Sequence, residues 1–245
     1  MIATEGGHWY TQAGEPCYTI KGLNGRERNT TLADARKLKL VPSVTEVMKV
    51  LAKPGLERWK IEQVALAALT LPKIENETMD QFLHRVYVDA NKQSNDARNL
   101  GTSIHTAIER FYLGKKINEH QVIVHALDRK LKQAFAHQSW LPEKSFCHPL
   151  GYGGKIDLHS QDWVIDYKTK EFGPDDIQNT FSYYEHKLQL SAYKLGLGLP
   201  NARIANVFIS RTHPGLIKIE KHKDDLSNTF RALLAFWNTL KKIDR

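Results

Sequence analysis

The segment GYGGKIDLHSQDWVIDYKTK, residues 151–170, constrains the fold more than any other part of the sequence. It contains two short apolar runs with turn-forming residues between them, which predicts two strands joined as a hairpin. Asp157 lies in the first run, and Asp166 and Lys168 lie in the second. An ionised group in a half-buried strand is costly unless a partner compensates it. The three charged side chains are therefore expected to meet.

A hairpin favours one site for these three residues. Side chains of a strand alternate between its faces, so Asp166 and Lys168 share a face. A turn near Gln161 brings Asp157 opposite that pair. Two converging carboxylates suit a hard divalent cation such as Mg²⁺, and a nearby lysine can orient the attacking water or neutralise charge on phosphate oxygens. A structural ion pair explains the same residues, and the hairpin alone leaves both interpretations open.

Helical patterns surround the hairpin. Ser43, followed three residues later by Glu46, predicts a helix start, and Pro54 suits the first position of the next helix. Residues 8–40 predict a hairpin-like appendage. Helices are expected at 43–51, 54–69, 79–113 with a break near Asn91, 119–139, 175–197 and 224–242, and strands at 145–150, 154–159, 163–169, 203–211 and 216–221. The core order is helix, three strands, helix, strand.

Charge and cysteine content narrow the class of protein. The 35 Lys and Arg outnumber the 27 Asp and Glu, giving a net charge of +8, which favours a polyanionic partner without establishing one. Cys17 and Cys147 form no Cys-x-x-Cys pair, so neither a disulfide framework nor a zinc or iron–sulfur cluster is expected. The sequence has no signal-peptide pattern and no long apolar run, which predicts an intracellular, cytoplasmic protein without a membrane span.

The spacing of the acids and the lysine resembles the PD-(D/E)XK nuclease superfamily, and within it the RecB-like and lambda-exonuclease-like exonucleases. In that family one strand carries an acid, and the next carries a second acid and a lysine two residues apart. Asp157 and Asp166-Tyr167-Lys168 are similar to these positions. This sequence departs from the pattern by having Gly-Gly-Lys-Ile-Asp in place of Pro-Asp, and Asp in place of Glu.

A helix ahead of the strands carries GTSIHTAIE, residues 101–109, which resembles the Gly-x-x-x-His motif of the same exonucleases. The spacing puts Gly101, His105 and Glu109 on one helix face, where Gly101 permits close approach. A lone histidine on a helix is more often a structural residue than a ligand. The metal ligands that the resemblance implies are His105, Asp157, Asp166 and the backbone carbonyl of Tyr167, with Glu109 as a further candidate.

The helix after the lysine strand carries Gln189 and Tyr193, which resemble the Gln-x-x-x-Tyr motif of that branch. An amide and a phenol one turn apart can hydrogen-bond a DNA phosphate, or they can brace the lysine and the metal ligands. A surface glutamine and a tyrosine at the edge of the core are the alternative.

The resemblance implies both a fold and an activity. The fold is an α/β (α+β) restriction-endonuclease-like core at 95–245, with a central mixed sheet in αβββαβ order flanked by helices. A mostly helical extension at 1–94 packs with it as one compact unit. The activity is that of a DNA exonuclease that uses Mg²⁺ or Mn²⁺, leaves 5′-phosphates and acts in recombination, repair or DNA end processing. An annealing or other recombination protein is an implied partner besides DNA. A structure-specific endonuclease and a non-catalytic DNA-binding or annealing module remain alternatives.

Further side chains are candidates for DNA contact. Unpaired bases can stack on aromatic rings, and phosphates can bind basic side chains. Buried packing and solvated surface charge are the ordinary alternatives. The aromatic candidates are Trp9, Tyr10 and Trp59, and the basic candidates are Lys170, Lys187, Lys194, Arg203 and Arg211.

Overall fold

A computed structural model of the chain describes residues 7–22, 24–52 and 54–242. The chain divides into two compact units, one made of Met1–Val50 with His105–Arg245 and the other of Leu51–Ile104. The predicted charged hairpin, and the sheet to which it belongs, lie in the first unit.

Helices and strands alternate along the chain. In order they are β1 (Trp9–Tyr10), β2 (Thr19–Lys21), β3 (Glu27–Asn29), α1 (Leu32–Lys37), β4 (Val41–Pro42), α2 (Val44–Val47), α3 (Pro54–Thr70), α4 (Met79–Tyr112), α5 (Gln121–Ala134), β5 (Leu141–His148), β6 (Tyr152–His159), β7 (Trp163–Lys170), α6 (Tyr184–Gly196), β8 (Arg203–Ser210), β9 (Ile217–His222) and α7 (Ser227–Lys241). A short 3₁₀ helix, Met48–Val50, follows α2.

A five-stranded mixed sheet forms the core of the first unit, in the order β5-β6-β7-β8-β9. Neighbouring strands are antiparallel except β7 and β8, which are parallel. A parallel neighbour requires a crossover, and α6 supplies it. Helices α6 and α5 pack on strands of this sheet. The prediction of a mixed α/β fold with a central mixed sheet is confirmed, and strand boundaries lie within a few residues of those expected.

The helix expected at 175–197 is shorter than predicted, because α6 begins only at Tyr184. The backbone N–H of Ser182 donates to the Glu220 carboxylate at 2.7 Å instead of to a carbonyl one turn back. Residues between Gly173 and Thr180 form turns. Phe181, predicted to belong to the apolar stripe of this helix, therefore lies outside it and is exposed.

The break expected near Asn91 is also absent, since α4 runs without interruption from Met79 to Tyr112. The Asn91 side chain donates to the carbonyl of Tyr87 at 2.7 Å. An asparagine that hydrogen-bonds back to its own helix does not compete with the backbone for a turn.

The N-terminal residues belong to the sheet unit and do not form a separate appendage. Strand β1 pairs with β4, and Ser43 forms a bridge with Gly153 in β6. Trp9 and Tyr10 are only 2% exposed, so their candidacy as stacking residues was wrong: they are core residues. The units divide near residues 50 and 104, whereas the sequence suggested a boundary at 94. The burial of these two rings is the physical reason that the first fifty residues join the sheet unit.

Two expected absences can be compared with the described residues. None of the helices in the described ranges is both long and apolar enough to cross a membrane. Cys17 and Cys147 are free, partly exposed thiols.

Gly153 in β6 generates a stability prediction. A Cβ at this position would lie 2.7 Å from Cβ and Cγ of Tyr10 and 2.9 Å from the carbonyl oxygen of Phe146. Neither the root of a side chain nor a strand carbonyl can move away without distorting the core. Gly153→Ala should lower the free energy of unfolding, measured by urea denaturation, by roughly 1–3 kcal/mol. Gly55→Ala, where a Cβ meets nothing within 4 Å, is the matched control. Equal stability of the two variants would contradict the packing described here.

Candidate active site

Asp157, Asp166 and Lys168 meet where the ladder between β6 and β7 opens. The two strands pair at Leu158 and Ile165 but not at Asp157. Beyond that point the backbone N–H of Tyr167 donates to Asp157 Oδ2 at 2.7 Å, so a carboxylate replaces a backbone acceptor. The Asp157 side chain is 17% exposed.

Lys168 lies between a carboxylate and an amide. Its ammonium is 2.8 Å from Asp166 Oδ2, and the side chains of Asp166 and Lys168 are 6% and 23% exposed. The same ammonium donates to Gln189 Oε1 at 3.0 Å. Gln189 Nε2 in turn donates to the Tyr193 hydroxyl at 2.8 Å. The pair Gln189 and Tyr193 thus braces the lysine, and both are buried, which contradicts the alternative of a surface glutamine.

His105 comes to the same place from α4. Its Nδ1 lies 3.4 Å from Asp157 Oδ1, and its ring stands edge-on to Tyr167 with centroids 5.6 Å apart. Glu109, one turn further along, acts electrostatically on Glu143 and Lys155. Gly101 lies in α4 within the other compact unit. Among the described residues, no three His, Cys, Asp or Glu side chains are already grouped as a metal site.

The two carboxylates differ in charge stability. Burial raises the pKa of Asp157, but the charge and hydrogen bond of His105 and the N–H of Tyr167 outweigh it and hold the pKa below its usual value. Burial also raises the pKa of Asp166, and the nearby Asp157 charge adds to this, so the pKa stays raised despite Lys168. The site therefore concentrates negative charge that only partly finds compensation within the protein.

A buried polar network behind Asp166 was missed by sequence reasoning. Asn206 Nδ2 donates to Asp166 Oδ2 at 3.0 Å. The Asn206 Oδ1 must then be an acceptor, and it receives Ser182 Oγ at 3.0 Å and His222 Nε2 at 2.9 Å. His222 consequently carries its proton on Nε2. The available signal was an asparagine within the apolar run of β8, where a polar group requires partners.

A second acid beside Asp157 was also missed. Glu143 in β5 lies between the ladder pairs that flank Asp157, and it forms an ion pair with Lys155. Its φ of 53° is left-handed, which costs a non-glycine residue roughly 1–2 kcal/mol. Burial raises the pKa of Glu143, as do the charges of Asp157 and Glu109. The sequence gives no signal for this bend.

The basic side chains named as phosphate candidates have partners within the protein. Such partners are compatible with either a structural or a binding role, so the DNA contacts stay predictions. Lys187 pairs with Asp224 at 3.2 Å, Lys194 with Asp225 at 2.9 Å and Arg211 with Glu171 at 3.1 Å, while Arg203 and Lys170 lie 4.3 and 4.6 Å from the ring centroids of Trp163 and Tyr183.

Comparison with known proteins gives distant similarity only. No family model matches the sequence, and no curated protein matches it. Among solved structures, the chain is similar to SSO0001, at 15% identity over 80% of this chain and 91% of that one, with a TM-score of 0.36. It is also similar to LHK-Exo in complex with dAMP, at 14% identity, 81% and 85% coverage and a TM-score of 0.43. A third structure is the alkaline exonuclease LHK-Exo from Laribacter hongkongensis, at 11% identity, 76% and 92% coverage and a TM-score of 0.37. The relation lies at the level of the fold and assigns no activity to this chain.

The contact between His105 and Asp157 generates a pH prediction. Burial lowers the pKa of His105, but Asp157 and Asp166 outweigh burial and raise it above its usual 6.5. The protonated ring therefore stabilises the folded protein fully below the unfolded pKa, and this contribution is lost as the pH rises through the folded pKa. Asp157→Asn should lower the pKa of His105, measured by NMR titration of its ring protons in EDTA.

Asp162→Asn is the matched control for this titration. Asp162 lies in the exposed turn of the same hairpin, where it accepts from Gln138 at 3.2 Å. This control should leave the His105 titration unchanged. A His105 pKa that is the same in Asp157→Asn and in the unsubstituted protein would refute the assigned interaction.

Proposed function

We propose that this chain is a divalent-metal-dependent deoxyribonuclease that hydrolyses phosphodiester bonds of linear DNA from its ends, at a site built on Asp157, Asp166 and Lys168. The observation that carries the proposal is the pair of largely buried carboxylates on adjacent strands, with one ammonium between Asp166 and Gln189. A structural ion pair would need one carboxylate. The second adds repulsion in a weakly hydrated place, which a bound cation would relieve.

The donor set fits Mg²⁺ or Mn²⁺. Asp157 and Asp166 supply carboxylate oxygens, the ligands that these hard ions prefer, and His105 beside Asp157 supplies an imidazole nitrogen. Mg²⁺ commonly takes one or two carboxylates and completes its shell with water and substrate phosphate, so a ready-made three-residue group is not required. When bound, the ion would polarise the phosphate and lower the pKa of a coordinated water. The Tyr167 carbonyl remains a proposed ligand, and Glu109 is the weaker candidate, since it acts on Glu143 instead.

Lys168 performs the protein's own part of the reaction. Two acceptors, Asp166 Oδ2 and Gln189 Oε1, fix its ammonium at 2.8 and 3.0 Å. Fixed in this way, the ammonium can neutralise charge that develops on the non-bridging phosphate oxygens or orient the attacking water, without reorganising during the reaction. Tyr193 holds Gln189 in the orientation that presents its oxygen to the lysine.

The preference for DNA ends rests on the motifs around His105, Gln189 and Tyr193, which resemble the exonuclease branch. Recombination, repair or end processing is the proposed setting, with an annealing protein as a proposed partner. A structure-specific endonuclease and a binding module are the competing proposals, and one experiment separates them.

The nuclease proposal is tested with end-labelled linear single- and double-stranded DNA and covalently closed circles, in Mg²⁺, Mn²⁺ or EDTA. Wild type should degrade linear DNA in either metal and leave circles intact. Asp166→Asn should abolish cleavage, and Lys168→Met should slow it by roughly 10²- to 10⁴-fold while DNA binding persists. The controls are Asp162→Asn and Lys144→Met, both exposed.

Each outcome of that experiment assigns the chain to one class. Cleaved circles would replace the exonuclease with an endonuclease. Intact DNA in every condition, despite binding, would identify a binding module and refute the proposal. Near-normal rates for Lys168→Met would remove the lysine from the reaction.

Gln189→Leu tests the brace separately. Loss of a hydrogen bond to a charged group is worth about 1.5–3 kcal/mol, so kcat should fall by roughly 10- to 150-fold while KM for DNA stays the same. The reason is that Lys168 loses one of its two fixed acceptors. Gln178→Leu, at an exposed position, is the control. A rise in KM with an unchanged kcat would instead make Gln189 a DNA-binding residue.

A further inference from the structure

Three exposed aromatic side chains occur within four residues ahead of α6. Phe181, Tyr183 and Tyr184 are 52%, 47% and 55% exposed. The rings of Phe181 and Tyr183 lie 5.8 Å apart in an edge-to-face arrangement. Exposed apolar surface of this size is unfavourable in water, and contiguous patches of it mark interaction surfaces.

Ser182 fixes this aromatic pair to the candidate active site. Its N–H donates to the Glu220 carboxylate at 2.7 Å, and its hydroxyl donates to Asn206 Oδ1 at 3.0 Å. Asn206 in turn donates to Asp166 at 3.0 Å. Phe181 and Tyr183 therefore flank a residue that is two hydrogen bonds away from Asp166, so their rings are held at a defined position beside the site.

Positive charge lies directly against the aromatic pair. Lys170 shares a strand face with Asp166 and Lys168 by alternation along β7. Its ammonium lies 4.6 Å from the centroid of the Tyr183 ring and donates to the Phe181 carbonyl at 3.3 Å. Rings for bases and an adjacent lysine for phosphates are the two parts of a single-strand nucleic-acid site.

We propose that unpaired bases of the DNA strand entering the active site stack on Phe181 and Tyr183, so that the substrate is single-stranded at the reacting end. This inference rests on the proposed nuclease function and specifies its substrate. Bases inside a duplex have both faces covered by their neighbours and cannot stack in this way. Lys170 and the net charge of +8 favour a polyanion over an apolar protein partner on this surface.

The test measures the Kd of a labelled single-stranded oligonucleotide by fluorescence anisotropy, in EDTA so that nothing is cleaved. Phe181→Ala and Tyr183→Ala should each weaken binding by roughly 5- to 150-fold, the range for loss of one stacked base. Phe181→Trp and Tyr183→Trp should retain it, which separates stacking from a folding defect at the start of α6. The control is Phe236→Ala in α7, a ring that is 57% exposed.

An oligonucleotide with abasic positions completes the test. It should bind wild type weakly and lose little further affinity in the alanine variants, since no base is left to stack. Unchanged single-strand binding by both alanine variants would overturn the inference and leave the patch to a protein partner. An equal loss on blunt duplex DNA would overturn the single-strand assignment. A chain that passes these binding tests but never cleaves DNA in Mg²⁺ would refute the nuclease proposal alone.

Discussion

The hydrogen bond from the Tyr167 backbone to the Asp157 carboxylate is the interaction on which the arrangement of the site depends. It occurs where the ladder between β6 and β7 ends, so it both satisfies a buried N–H and draws the carboxylate of one strand toward the acid of the next. Without it, the diverging strands would separate Asp157 from Asp166. A backbone requirement, the pairing of every buried donor, thus creates the functional geometry.

Each charged group of the site has support from a different element. Asp157 is supported by α4 through His105, Asp166 by β8 through Asn206, and Lys168 by α6 through Gln189. Side chains that are held by neighbours are preorganised, and they lose little entropy when a substrate binds. The mixed topology matters here, because the crossover through α6 lets β8 lie parallel to β7, with Asn206 directly beside Asp166 in the register.

Local patterns in the sequence predicted what depends on local physics. Alternation along β7 was sufficient to place Asp166 and Lys168 on one face, and helical spacing was sufficient to pair Gln189 with Tyr193. The misses depend on contacts between distant segments. The start of α6 is set by Glu220, thirty-eight residues away from Ser182. Trp9 is buried near Trp237, at 6.1 Å between ring centroids, and nothing near Trp9 in the sequence indicates this. Glu143 was invisible because its left-handed backbone is stabilised only by the sheet around it.

The late start of α6 has a consequence for function. Had the helix continued back to residue 175, Ser182 would have given its N–H to the helix, and the neighbouring rings would have joined the apolar stripe. Instead Glu220 takes that N–H and Asn206 takes the hydroxyl. The same asparagine that supports Asp166 therefore also holds an aromatic segment away from the core, where its rings stay exposed. Exposure of Phe181 and Tyr183 is thus a product of the network that positions the acid, and a change at Asn206 would alter both at once.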